Sequence, residues 1–168
     1  MRKRRFGRTG LTVGELCFGG GWVGGLLIHQ DEAVARAALE RAVAAGIDWI
    51  DTAPSYGQGV SETVIGRLLP NLTPRPRLST KVRLELAGTS DLAGQIERSL
   101  DASLARLGVA SVELLQLHNP IGAVTGGATI GVADVLRRGG VADTFDRLRC
   151  AGRFTAQGIT ALGELAAL

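Results

Sequence analysis

The sequence predicts an α/β fold in which parallel strands alternate with helices, and three observations carry that reading. Short, mostly apolar runs recur along the chain, "IDWIDTA", "RLSTKV", "SVELLQLH" and "FTAQGIT". "SVELLQLH" above all suits a strand buried on both faces of a parallel sheet. Between these runs lie longer segments with apolar residues at helical spacing. The strict alternation then demands parallel strands joined by right-handed helical crossovers.

Each element follows from local chemistry. "LTVGELCFGG" is a short apolar strand ending in glycines. "DEAVARAALERAVAAG" is a helix: Asp31 can cap it, Glu32, Arg36 and Glu40 share a face at i,i+4, and Gly46 ends it. "IDWIDTA" is the second strand, and "SETVIGRLL" a helix opened by Ser61 and broken by "PNLTPRP". "RLSTKV" is the third strand. In "SDLAGQIERSLDASLARLG", Leu92, Ile96, Leu100, Leu104 and Leu107 form one apolar stripe, capped by Ser90 or Asp91 and stopped by Gly108. "SVELLQLH" is the fourth strand. The Gly-rich segment 121–140 is a long loop with a short helix around "VADVLRR". "VADTFDRLRCAG" is a helix, "FTAQGIT" a fifth strand, and "ALGELAAL" opens a further helix. No internal repeat is visible.

Composition narrows the function classes. With 168 residues, 45% hydrophobic and 21% charged, the chain fits one globular domain over 1–168. The net charge of +3 owes much to the terminal "MRKRR", read as a solvated run, and aromatics are few, so a nucleic-acid surface is not expected. The stretch 11–28 is broken by Glu15 and glycines, so neither an export signal nor a membrane span is expected, and the setting is read as cytoplasmic. Cys17 and Cys150 lie far apart and are read as reduced, buried thiols; no metal site is expected. All but two of the 19 basic residues are arginine, and the only interior lysine is Lys81.

The polar residues that stand out share one location. Asp51 ends the second strand, Lys81 the third and His118 the fourth, while the sole tyrosine, Tyr56, follows Asp51 in "DTAPSYG". Ligands gather at the carboxyl ends of parallel strands. A phenol near its ordinary pKa of about 10 is a poor acid at neutral pH, and a neighbouring ammonium favours the phenolate. Asp51 can hold Lys81 charged, and His118 can donate to a substrate oxygen. Such a set protonates a carbonyl oxygen while a nucleophile reaches the carbon. Singly, each residue has an ordinary structural reading: a turn aspartate, a loop aromatic, a strand-end charge, a turn histidine. Their coincidence on one rim favours the site.

A second pattern competes. "GGGWVG", residues 19–24, matches G-x-G-x-x-G after a strand, with Asp51 at the next strand end, the outline of a Rossmann nucleotide-binding module. The convincing helix begins only near Asp31, however, and that reading leaves Tyr56, Lys81 and His118 unexplained.

From about residue 5 to the end, the segments "GRTGLTVGELCFGGG", "GIDWIDTAPSYGQGVSETVIGRLL", "LSTKV", "ELLQLHNP" and "FDRLRCAGRFTAQGIT" resemble, in order, signatures of the aldo/keto reductases. The resemblance implies a (β/α)8 TIM barrel and reversible reduction of aldehydes or ketones to alcohols with NADPH, or with NAD. It implies Tyr56 as general acid/base, Lys81 tuning it, Asp51 paired with Lys81, and His118 orienting the carbonyl. Gly20, Gly21 and Asp51 match positions near the nicotinamide ribose. Thr160-Ala161 stands where the family often carries Ser-Asn to grip the carboxamide. Family barrels run to about 300 residues, within the general barrel range. Five predicted strands therefore imply an incomplete barrel of about five β/α units that lacks the C-terminal ones. Two open edges then invite self-association. The expected partner is a small carbonyl or alcohol substrate, and the alternative is a non-catalytic barrel fragment.

Overall fold

The first element is one that the sequence pattern conceals. In a computed structural model, which describes residues 1–21, 25–88 and 91–168, β1 (Lys3–Arg5) pairs antiparallel with β2 (Thr12–Gly14). The basic run read as solvated is thus a strand. Its side chains are exposed, yet Lys3 reaches Asp48 at 2.6 Å and Arg2 reaches Glu15 at 2.9 Å. The single strand expected in "LTVGELCFGG" is split, because Thr12–Gly14 serves the hairpin and only β3 (Phe18–Gly19) joins the main sheet.

The remaining elements are α1 (Glu32–Ala44), β4 (Trp49–Asp51), α2 (Val60–Leu68), β5 (Arg77–Val82), α3 (Leu92–Leu107) and β6 (Val112–Leu117). Then come β7 (Ile121–Gly122), β8 (Ile130–Gly131), α4 (Val132–Leu136), α5 (Val141–Cys150) and β9 (Phe154–Ile159). Segment 121–140 therefore holds a small parallel pair, β7 with β8, besides the expected short helix. "ALGELAAL" yields a 3-10 turn at Leu165–Ala167 and no α-helix.

The main sheet has the order β3-β4-β5-β6-β9, with every pair parallel. Strand order follows chain order without reversal. A doubly wound Rossmann sheet needs such a reversal, so these strands form the arc of a singly wound barrel, incomplete at five strands. The Rossmann glycine pattern runs into Trp22, Val23 and Gly24, which lie outside the described residues, as does the alternative cap Ser90.

Alternation along the strands divides the two faces. Ile50, Leu78, Val82, Leu115 and Leu117 point to the helices and join the main core. The predicted stripe of α3 is buried at every position, Leu92, Ile96, Leu100, Leu104 and Leu107. Asp91 caps that helix by accepting from the Gly94 N–H at 2.8 Å, and Gly108 ends it in the left-handed region that favours glycine. Helices α2 and α3 approach so closely that a Cβ on Gly66 would run into the Arg106 carbonyl. The other face is concave: Trp49, Leu114 and Ala156 pack there against Phe6, Leu11 and Val13 of the hairpin. Because part of this face is uncovered, Cys17 is exposed. Cys150, at the end of α5, is exposed too, so neither cysteine is the buried residue expected.

Candidate active site

Register explains how the candidate residues meet. Asp51 in β4 lies opposite Ser79 in β5, and Lys81, one pleat further along, lies opposite Gln116 in β6. Leu78, Thr80 and Val82 face the helices, so Ser79 and Lys81 must face the concave side. Lys81 is 4% exposed, and its ammonium donates to Asp51 Oδ2 at 2.5 Å, to the Thr52 carbonyl at 2.9 Å and to Tyr56 Oη at 3.0 Å. An ammonium has three hydrogens. All three are committed.

Tyr56 sits in the loop between β4 and α2, with its N–H donating to the Ala53 carbonyl at 3.0 Å. Its ring faces His118 edge-on, centroids 6.0 Å apart. His118 follows β6 directly, its N–H donating to the Val82 carbonyl at 2.8 Å, and its Nδ1 lies 3.4 Å from the Ser55 hydroxyl. Burial first, then the nearby Lys81 and Arg83 cations, hold the His118 imidazole below its ordinary pKa, against an opposing pull from Asp51. The ring is therefore neutral at neutral pH.

The four predicted residues Asp51, Tyr56, Lys81 and His118 converge at the strand ends. The glycines lie beside them. The Gly20 N–H donates to the Asp51 carbonyl at 2.8 Å, and a Cβ on Gly21 would stand 3.2 Å from the Tyr56 ring. Thr160, just past β9, turns its hydroxyl back to the Leu117 carbonyl at 3.3 Å.

Several site neighbours escape a reading of the sequence. Ser79 Oγ donates to Asp51 Oδ1 at 2.7 Å, Gln116 Nε2 donates to the same oxygen at 3.2 Å, and the Trp49 indole donates to Ser79 at 2.9 Å. Ser61, expected to open α2, is instead buried two residues beyond the Gly59 cap and bonds to the Thr52 hydroxyl at 2.8 Å. Glu62 is fully buried between Thr80 Oγ1 at 2.6 Å and Arg106 Nε at 2.7 Å. The polar residues at 79 and 116 are visible in the sequence, but only register aims them at Asp51. A cleft of about 290 Å³ opens below, lined in part by Asp51, Gln116, Trp49 and Cys17. Cys17 is exposed as a residue, yet desolvation of its thiol and the Asp51 carboxylate push it up to about 12, so it stays a thiol. Among the described residues no group of three or more metal-ligating side chains occurs, and no helix is long and apolar enough to cross a membrane.

The description of the aldo/keto reductase family matches residues 15–163. The chain belongs to the aldo/keto reductase family. It is 32% identical to a pyridoxal 4-dehydrogenase of Microbacterium luteolum, with 94% of this chain and 54% of that protein covered. It is 37% identical to a D-threo-aldose 1-dehydrogenase of a Pseudomonas species, covering 67% of this chain and 42% of that one. Among solved structures, an aldo-keto reductase of Bacillus halodurans in its holo form superposes with a TM-score of 0.73 at 27% identity, covering 95% of this chain and 50% of that one. The chain thus spans about half the length of the relatives it matches.

Proposed function

We propose that this chain carries the proton-handling half of a carbonyl-reducing site, working with NADPH, or NADH, on small aldehydes or ketones and reversibly on the alcohols. The observation behind this reading is the Lys81 ammonium with all three donors committed, one of them to Tyr56 Oη. A phenol oxygen that accepts from an ammonium keeps its own hydrogen for another acceptor. Tyr56 is then the general acid. Its hydrogen passes to the carbonyl oxygen as negative charge builds there, and Lys81 stabilises the phenolate left behind. Asp51 balances the ammonium. With the Ser55 hydroxyl donating to Nδ1, the neutral His118 ring carries its hydrogen on Nε2 and offers it to the same carbonyl oxygen. That tautomer is the one the proposed role requires, since the contact serves either direction.

The nicotinamide, when bound, supplies the hydride to the carbonyl carbon. The residues present fit the ribose end of such a cofactor. An ionised carboxylate offers about four acceptor positions, and Asp51 uses three of them, leaving one for a hydroxyl. Gly21 keeps a side chain out of the space beside Tyr56, while a Cβ on Gly20 would run into the Ser61 hydroxyl. With its hydrogen given to the Leu117 carbonyl, the Thr160 hydroxyl would meet a carboxamide as an acceptor from its NH2 group. A cytoplasmic setting belongs to the same proposal, since both cysteines are free thiols.

The test is cofactor binding by fluorescence, followed by NADPH consumption with 4-nitrobenzaldehyde. Tyr56→Phe should bind cofactor yet turn over at least about 100-fold more slowly. Equal rates in wild type and Tyr56→Phe, or no cofactor binding, would sink the reading. A second reading, self-association through the free edges of the sheet, is favoured by exposed Ile159 at the end of β9 and exposed Leu162 and Leu165 just after it in the chain. Light scattering that finds only monomer at high concentration excludes it.

A further inference from the structure

We infer that Trp49 is a positioning residue for Asp51, acting through the hydroxyl of Ser79. The inference deepens the reductase reading and, for its catalytic consequence, rests on it. Trp49 and Asp51 lie two residues apart on the same face of β4, and Ser79 stands opposite Asp51 in β5. The indole N–H donates to Ser79 Oγ at 2.9 Å, and Ser79 Oγ donates to Asp51 Oδ1 at 2.7 Å. An indole can only donate and an ionised carboxylate can only accept. The serine hydroxyl between them is a rotor with one permitted direction: it receives from Trp49 and gives to Asp51.

The consequence reaches the ammonium. Ser79 and Gln116 together occupy Oδ1, which leaves Oδ2 to Lys81. Ser79 is 1% exposed, so no solvent competes for its hydroxyl. Trp49 is itself held by the hairpin, with the Phe6 ring 5.2 Å from its own. A line of contacts therefore runs from the hairpin floor to the Tyr56 hydroxyl, and every link beyond the Phe6–Trp49 ring contact is directed by donor type.

A tryptophan that merely fills the core predicts a different response to mutation, and the chain offers a clean reporter. It contains only two lysines, Lys3 and Lys81. Selective 15N-lysine labelling gives two side-chain ammonium signals, one from exposed Lys3 and one from buried Lys81. Solvent exchange of the Lys81 ammonium hydrogens is followed at mildly acid pH in wild type, Trp49→Phe, Ser79→Ala and the double variant, with thermal melts alongside. Ser79→Ala should speed exchange about tenfold, the scale of a lost bond to a charged group. Trp49→Phe should speed it several-fold, and the double variant should match Ser79→Ala alone, because Trp49 has no other route to Asp51. An unchanged rate in Trp49→Phe, or fully additive effects, overturns the inference. If Trp49→Phe fails to fold, the Trp49 indole N–H is followed instead in wild type and Ser79→Ala. Unaltered protection there overturns the inference equally. In turnover assays, Trp49→Phe should lower kcat and leave KM unchanged. A wild type without NADPH turnover sinks the reductase reading while the exchange result stands.

Discussion

Two aspartates flank β4, and their surroundings differ in what lies beyond the cation. Asp48, just before the strand, accepts from Lys3 at 2.6 Å, Arg77 at 3.0 Å and the Gly14 N–H at 2.8 Å. Lys3 is exposed and Arg77 half-buried, and together they make the cluster a tie between the hairpin and the sheet. Asp51, at the other end, also accepts three side-chain or charged donors, but its cation is buried and continues to Tyr56 and Thr52. The same residue type at the two ends of one strand thus serves fastening at one end and, in the function proposed above, proton handling at the other. What separates the roles is a third partner for the ammonium.

The largest expected effect comes from deleting each cation in turn. Lys81→Met should cut NADPH-dependent turnover by at least about 100-fold, whereas Lys3→Met, the same chemical change at the other aspartate, should leave it nearly intact. Comparable losses in both would break the contrast.

Next comes stability. Asp48→Asn should cost about 1–2 kcal/mol in denaturant unfolding, the scale of weakened hydrogen bonds to a charged group. Burial pushes the Asp48 carboxyl upward, but Lys3, the Gly14 N–H and Arg77 together outweigh it and hold it below the usual carboxylate range. A carboxylate depressed in the folded state adds stability above its unfolded pKa, about 3.9, and loses it as pH falls through the folded value. The gap between wild type and Asp48→Asn should therefore close below about pH 4. A gap that widens on acidification contradicts the assignment.

A smaller effect sharpens the picture at Asp51. His118 and His29 are the only histidines, so His118 can be followed by NMR titration. Lys81→Met should raise its midpoint and Asp51→Asn should lower it, since Lys81 disfavours the imidazolium and Asp51 favours it. Shifts of the reverse sign would mean that the pair is not ionised as drawn. Because the folded His118 is depressed, it resists protonation that the unfolded chain accepts. Stability should therefore decline as pH falls through about 6.5, and His118→Gln should remove that decline. The smallest change is Ser55→Ala, which loses one exposed 3.4 Å contact and should alter turnover less than about fivefold.

Part of this contrast is legible in the sequence and part is not. The stripe of α3 was legible because helical periodicity is local, and each of its five leucine or isoleucine positions is buried. Asp51, Lys81 and His118 were legible as a set because each lies at or beside the carboxyl end of its own strand, and strand ends are local too. Ser79, Gln116 and Trp49 were hidden for a physical reason: their bonds depend on which residue lies opposite in the neighbouring strand. Glu62 sits in a helix with no local signal of its partners, and only the approach of α3 and β5 supplies Arg106 and Thr80. The hairpin hid because its first strand is made of basic residues, a composition that suggests solvent. The cysteines misled because burial depends on tertiary cover, which the apolar character of their neighbours does not report.

The uninterrupted strand order has one more consequence, for the timing of synthesis. Each strand from β4 to β6 pairs with the strand of the main sheet made just before it, and domains begin to fold as they leave the ribosome. All four candidate proton-handling residues fall between positions 51 and 118. The site can thus be assembled as one contiguous cassette while later segments are still being translated, and its geometry becomes a template on which any following strand must register.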